Sequence, residues 1–191
     1  MPIYTSVVGS YRHERDTYET LGRFDHPDLH LWPALTRLGC NEIDLLLAEA
    51  TIGLFAIEMK AHSLADIVQF GCNEWQLRHE EKPSRSPVLQ SSRAAQQLAQ
   101  GLRERGARAH WICATVLWSR IDRGAWESHF ARNRRSIELA AGMLFRDDIE
   151  SGPGIFREAL KRVRRSPCVR GGHPPMALPE AEIDELVALL A

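Results

Sequence analysis

The chain has 191 residues, 44% hydrophobic and 26% charged, with a formal net charge of -1. Such a length and balance suit one α/β globular domain with a core of its own, and exclude collagen-like, disulfide-scaffold and disordered chains. With a near-neutral total, no global field draws the chain to nucleic acid or membrane, so any basic binding surface has to be local.

In chain order, the first expected element is a helix over about His13–Arg23, where Glu14, Tyr18, Leu21 and Phe24 fall near helical spacing and Gly22 weakens the end. "DHPDLH" reads as a loop before a short strand, "HLWPAL". "NEIDLLLA" is an apolar strand with acids at its start, "EATIG" has turn character, and "LFAIEMKA" is a second strand. Side chains alternate along a strand, so Phe55, Ile57 and Met59 face one way and Ala56, Glu58 and Lys60 the other. The two strands read as an antiparallel hairpin. "EWQLRHE" is a candidate strand and "EKPSRSP" a polar loop. A helix follows, with Ser86 as N-cap and Pro87 at its first position; Val88, Leu89, Ala95, Leu98 and Leu102 supply most of its buried side. "ARAHWICATVLW" is an apolar strand expected at the sheet centre and buried on both faces.

Beyond Ser119 the pattern weakens: "ESHFARNRRSIELA" is helical in part, "GMLF" a last short strand and "GPGIFREALKRVRR" a loop and helix. "PCVRGGHPP" reads as a loop, and "LPEAEIDELVALLA" as a terminal helix with Pro179 near its start and acids in its first turn. This order implies a mixed central sheet flanked by helices, with extra C-terminal helices. The whole chain is read as a single domain: a core over about 9–118 and a C-terminal extension over about 119–191.

Cys40, Cys72, Cys113 and Cys168 lie far apart and form no CxxC pair, so reduced thiols are expected rather than zinc or disulfides. No segment approaches the roughly 18 apolar residues that cross a bilayer, and residues 1–18 contain no apolar run of signal-peptide length. A soluble, cytoplasmic protein without a membrane partner is expected. No G-x-x-x-x-G-K-[ST] motif occurs.

The chemistry concentrates in the hairpin. If its strands pair in register around "EATIG", Asp44 and Glu58 face the same side. Two carboxylates about 5 Å apart repel by roughly 3 kcal/mol at an effective dielectric of ~20. Lys60 offsets part of that cost; a divalent cation offsets more, and hard oxygen ligands suit Mg2+ or Mn2+. Such a cation can lower the pKa of a water, polarise a phosphoryl oxygen and steady a leaving group, while Lys60 stabilises transition-state charge or holds the attacking water. An E-x-K triplet on a strand is also commonly a surface ion pair worth less than ~1 kcal/mol; the upstream Asp44 at hairpin spacing is what favours function.

Residues 41–62, "NEIDLLLAEATIGLFAIEMKAH", resemble the nuclease-related domain (NERD) family, a branch of the PD-(D/E)xK superfamily: an E-I-D strand, a Gly-containing turn and a hydrophobic strand ending in E-x-K. The likeness extends to "SYRHERDTYETL", with its acidic Glu14, and to "EWQL" and "SPVLQSSRAAQQLAQGL", with Gln90 near the helix start. It covers about residues 9–118. What the resemblance implies is a restriction-endonuclease-like core and a metal-dependent nuclease hydrolysing DNA phosphodiester bonds. In that reading Asp44 and Glu58 ligate Mg2+ or Mn2+, the Met59 carbonyl is a further oxygen ligand, and Lys60 is the catalytic cation. Glu14 is a helix-borne acid that ligates through water or orients the site, and Gln90 helps to position Lys60, the water or a phosphate. DNA is the expected partner, with a helicase or other DNA-processing protein as a candidate second one. The alternative is a non-catalytic nucleic-acid-binding or assembly module that keeps the nuclease fold.

Other features weigh less. Glu42 shares the Asp44 face and is a reserve ligand. His26 and His30 have helical ligand spacing, but Pro27 argues against a zinc pair. Arg132, Arg134 and Arg135, and separately Lys161, Arg162, Arg164 and Arg165, are basic clusters that either contact phosphates or form solvated helix faces. Trp32, Trp75, Trp111, Trp118 and Trp126 read as core or sheet residues rather than stacking platforms.

Overall fold

The computed structural model describes residues 11–36, 38, 42–107, 111–166 and 176–190. The sheet begins with three strands in sequence: β1 (Leu29–Leu35), β2 (Ile43–Glu49) and β3 (Gly53–Lys60) form an antiparallel meander. A long crossover leads from β3 to β7 (Ile112–Trp118), which pairs parallel with β3, and β8 (Leu144–Phe145) adds parallel to β7. The five-stranded order is β1-β2-β3-β7-β8, a mixed sheet flanked by helices, as the element order implied. β1 lies at the edge, where Pro33 costs no ladder bond it could have donated to a further strand. All seven residues of β7 are buried, as expected of a largely apolar central parallel strand, and its one polar side chain, Thr115, donates to the Gly142 carbonyl.

The β2–β3 turn ends in Gly53, whose φ of +123° disfavours a side chain, and a Cβ there would sit 2.6 Å from Nη1 of Arg164. The hairpin is thus closed by a residue that allows both the turn and the approach of a C-terminal helix. α1 (Arg12–Gly22) precedes the sheet and buries Tyr18 and Leu21. α2 (Pro87–Glu104) lies along β3 and β7. Ser86 caps it, accepting from the Val88 N–H, with Pro87 in the first turn. Its buried side is mostly small: Ser91, Ser92, Ala94, Ala95 and Gly101 beside Val88, Leu98 and Leu102. Small residues let the helix axis come close to the sheet. Leu89, expected inside, is only half-buried.

The crossover also holds a second, three-stranded antiparallel sheet of β4 (Ile67–Phe70), β5 (Glu74–Leu77) and β6 (Ser84–Arg85). Only β5 was expected from sequence; β4 and β6 are too short to show a period, and their pairing is fixed by packing. Phe70 and Trp75 pack edge-on or tilted against Trp118, and Phe70 also meets Trp126. α3 (Arg123–His129), α4 (Arg134–Ala140) and α5 (Arg146–Glu150) follow β7, the last unanticipated because it is barely more than a turn. α6 (Pro153–Arg165) buries Phe156, Ala159, Leu160 and Val163, an i, i+3, i+4, i+7 stripe that joins the core of the main sheet. α7 (Glu180–Leu190) adds Ile183, Leu186 and Leu190. The segment before it is tied to the hairpin turn by Met176 N–H donating to Ile52 O and Leu178 N–H to Ala50 O.

Several surface expectations change. Trp111 is 42% exposed, whereas Trp32, Trp75, Trp118 and Trp126 are buried. Trp111 lies just before β7, where the apolar run has not yet entered the sheet. The run over residues 161–165 is not one basic face: Arg164 is buried, Arg162 pairs with Asp148, and Lys161 with Glu158. In the other cluster Arg134 and Arg135 both pair with Glu138. His26 lies in the loop before β1 and His30 within it, so the helical spacing that would suit a metal pair does not occur. Cys72 and Cys113 are free thiols; Cys40 and Cys168 lie outside the described residues, as does the expected loop over 167–175. Among the described residues no helix is long and apolar enough to cross a membrane.

Candidate active site

Asp44 and Glu58 are placed by the β2–β3 register. The ladder runs from Glu49 opposite Gly53 to Leu45 opposite Ile57, and one further step sets Asp44 opposite Glu58 on the same face. There the ladder stops: the Met59 N–H donates to Asp44 Oδ2 at 2.6 Å. The Asp44 side chain therefore takes a donor that would otherwise serve the neighbouring strand, and the strands part at the acids. The Tyr18 hydroxyl, from α1, donates to the Asp44 carbonyl at 2.6 Å and fixes the main chain from the other side. The Met59 side chain is buried in the core, as expected. Since N–H and C=O of an extended residue share a strand edge, the Met59 carbonyl faces the same edge as the N–H that reaches Asp44.

Two clefts meet at Asp44. One, of about 300 Å3, is lined by Glu42, Asp44 and Glu58 from the sheet, Arg85 from β6, and Gln90, Arg93 and Ala94 from α2. The other, of about 430 Å3, is lined by Tyr11, His13, Glu14, Asp44, Met59, Lys60, Ala61 and His62. The residues singled out in the sequence thus converge from β2, β3, α1 and α2. Asp44, Glu58 and Gln90 share the first cleft with the reserve acid Glu42; Glu14 and Lys60 reach Asp44 from the second.

Burial is the first cause of each resolved shift among the acids and histidines of the site. Burial, reinforced by the negative charge of Glu58, pushes the Asp44 carboxyl up to about 7, although the Met59 N–H and Lys60 pull the other way. Burial also raises Glu14, against the Tyr11 N–H that its carboxylate accepts at 3.0 Å. Glu14 therefore ties down the start of α1 while facing the cleft. Lys60 Nζ lies 2.5 Å from Glu58 Oε1, so the one ammonium between the clefts is held by the second acid. His62 and His13 are both held below the usual histidine range, by burial first; the next cause is Lys60 for His62 and Arg120 for His13. Oε1 of Gln90 is buried without a hydrogen-bond partner, an orphaned acceptor that lines the same cleft as Asp44 and Glu58.

Among the described residues no three His, Cys, Asp or Glu side chains are grouped to hold a metal ion. The arrangement is therefore no closed zinc-type cage. Two opposed carboxylates with a main-chain carbonyl at the strand edge do fit Mg2+, which keeps several waters and is bound through one or two carboxylates.

The nuclease-related domain (NERD) family model matches residues 9–119, more than half of the chain. The chain belongs to that family. No curated protein and no solved structure gives a match. The matched span runs from α1 through β7, so it includes every element that contributes to the two clefts, and this NERD chain carries α3 to α7 beyond it.

Two lining residues were not anticipated from sequence, Arg85 and Arg93. Arg93 follows Gln90 by three positions and so shares its helix face, a spacing that could have been read directly. Arg85 sat in what read as a polar loop; only the pairing of β6 with β5 brings it to the cleft.

Proposed function

We propose that this NERD chain is a metal-dependent nuclease that hydrolyses DNA phosphodiester bonds. The observation that carries the reading is the opposed pair Asp44–Glu58, placed where two clefts meet at Asp44, with Lys60 against Glu58 and an Asp44 carboxyl that burial and Glu58 raise to about 7. Asp44 and Glu58, with the Met59 carbonyl, would hold Mg2+ or Mn2+. When bound, that ion supplies Lewis-acid polarisation of the phosphoryl group and an acidified water. Asp44 contributes a carboxylate whose second oxygen is already fixed by the Met59 N–H, so little ordering is left to do on binding. Lys60 brings an ammonium within reach of a phosphate oxygen, and its contact with Glu58 keeps it aimed at the place where negative charge grows. Gln90 offers its unpartnered oxygen to a water proton.

The test is cleavage of labelled single- and double-stranded DNA with Mg2+, Mn2+ or EDTA. Wild type should cut in either metal and not in EDTA. Asp44→Asn should be inactive, and Lys60→Ala should lose roughly 10^2 to 10^3 in rate, the usual cost of removing one transition-state donor. Equal cleavage by wild type and both variants excludes this site. DNA binding without cleavage in any metal indicates an assembly module instead.

A further inference from the structure

The first cleft holds three acids, Glu42, Asp44 and Glu58, yet two guanidinium groups, Arg85 and Arg93, border it. Both are exposed, and among the described residues neither donates to any carboxylate. Several cations elsewhere in the fold are engaged by carboxylates: Lys60 by Glu58, Arg146 by Asp122, Arg123 and Arg162 by Asp148, Arg157 by Glu49. The two side chains are also set on fixed backbone. The backbone of Arg85 lies opposite that of Glu74 in the β5–β6 ladder, and the next residue, Ser86, is fully buried, gives its N–H to the Asn73 carbonyl and caps α2. Arg93 stands one turn beyond Gln90 on the same helix. Rigid placement lowers the entropy lost when a ligand is gripped.

We propose that Arg85 and Arg93 form a phosphate subsite of this cleft, holding the backbone phosphate that neighbours the scissile one on a polynucleotide strand. The inference rests on the phosphodiester reading of Asp44 and Glu58 and names what that site takes: a strand with at least one phosphate beside the bond being cut, not an isolated phosphodiester. Guanidinium forks suit phosphate oxygens bidentately, and such contacts supply affinity and register without base choice. The subsite also resolves how a chain of net charge -1 can attract a polyanion: the positive charge is local and unspent. Arg85 and Arg93 are positioning residues, since they touch the strand beside the reacting atoms.

The experiment is binding of fluorescein-labelled oligothymidylate and of a labelled duplex to the full chain in Ca2+, over a series of salt concentrations. It is paired with hydrolysis of bis(p-nitrophenyl) phosphate in Mn2+. Arg85→Ala and Arg93→Ala should each weaken oligothymidylate binding roughly tenfold. Each should flatten the slope of log K against log salt by about 0.7, the value for one single-strand phosphate contact. Arg93→Lys should keep the slope and recover only part of the affinity, because a point charge cannot make the fork. Hydrolysis of the small diester, which has no neighbouring phosphate, should fall much less in both alanine variants than oligothymidylate binding does. Unaltered affinity and slope in the double variant, or failure of the wild type to bind either DNA, overturns the subsite. Weakened binding in the variants of a wild type that cleaves nothing would sink the nuclease reading and leave the subsite standing.

Discussion

Replacing Asp44 by Asn tests the site without any substrate. The Asp44 carboxyl is pushed up to about 7 in the folded chain, by burial and by Glu58, against roughly 3.9 when unfolded. An acid with a raised folded pKa binds its proton more tightly when folded. Its contribution is therefore fully present below pH ~4 and is lost as pH climbs to about 7, above which the folded metal-free protein carries a buried charge. Three units correspond to about 4 kcal/mol, and residual solvent contact and the mobility of Lys60 reduce this to about 2–4 kcal/mol. Asn is nearly isosteric, carries no charge and keeps an oxygen to accept the Met59 N–H. In EDTA at pH 8, Asp44→Asn should therefore melt higher than wild type by about 5–15 °C, given about 2–4 °C per kcal/mol for a chain of this size. The gap should close as pH falls toward 4. Adding Mg2+ should raise the wild-type Tm at pH 8 and leave the variant's unchanged, because only the carboxylate binds the ion in the folded state. Parallel melting curves for the two proteins from pH 4 to 8, or a variant less stable at pH 8 in EDTA, would refute the picture of an uncompensated buried acid.

Three further outcomes are expected. Gly101→Ala should destabilise by about 1–3 kcal/mol in urea melts, since a methyl there collides with the Leu38 carbonyl oxygen and Cβ; on an open helix face the same change stabilises by up to about 1 kcal/mol, so the sign decides whether α2 makes that approach. Arg157→Ala should cost about 1–3 kcal/mol, because Glu49 is fully buried and, among the described residues, would keep only the Thr51 N–H and hydroxyl as donors; an unchanged urea midpoint would show that the Arg157 contact is not made. Burial pushes the Cys113 thiol up to about 12, so iodoacetamide at pH 8 should leave it unmodified in the folded protein and alkylate it after denaturation, as read by peptide mass spectrometry; rapid labelling of the native chain would contradict its burial.

Local pattern was enough to place the elements that carry the chemistry. The alternation in "LFAIEMKA" separates Glu58 and Lys60 from Phe55, Ile57 and Met59, and the Gly-containing turn before it fixes the hairpin and so the Asp44–Glu58 pairing. The Ser86–Pro87 start of α2 and the largely apolar run of β7 were equally plain, because capping and burial on both faces leave their mark in consecutive residues. What no local pattern could supply is anything defined by partners distant in the chain. The strands of two and four residues in the small sheet exist because Phe70 and Trp75 pack on Trp118 and because β6 finds β5. Arg164 is drawn inside by a helix that meets Gly53, although its neighbours read as a basic face. The charge state of Asp44, the empty acceptor on Gln90 and the meeting of Arg85 with Arg93 likewise arise from burial and proximity in three dimensions. A strand's periodicity sets which side a residue faces; only packing sets what it meets there and how much water is left around it.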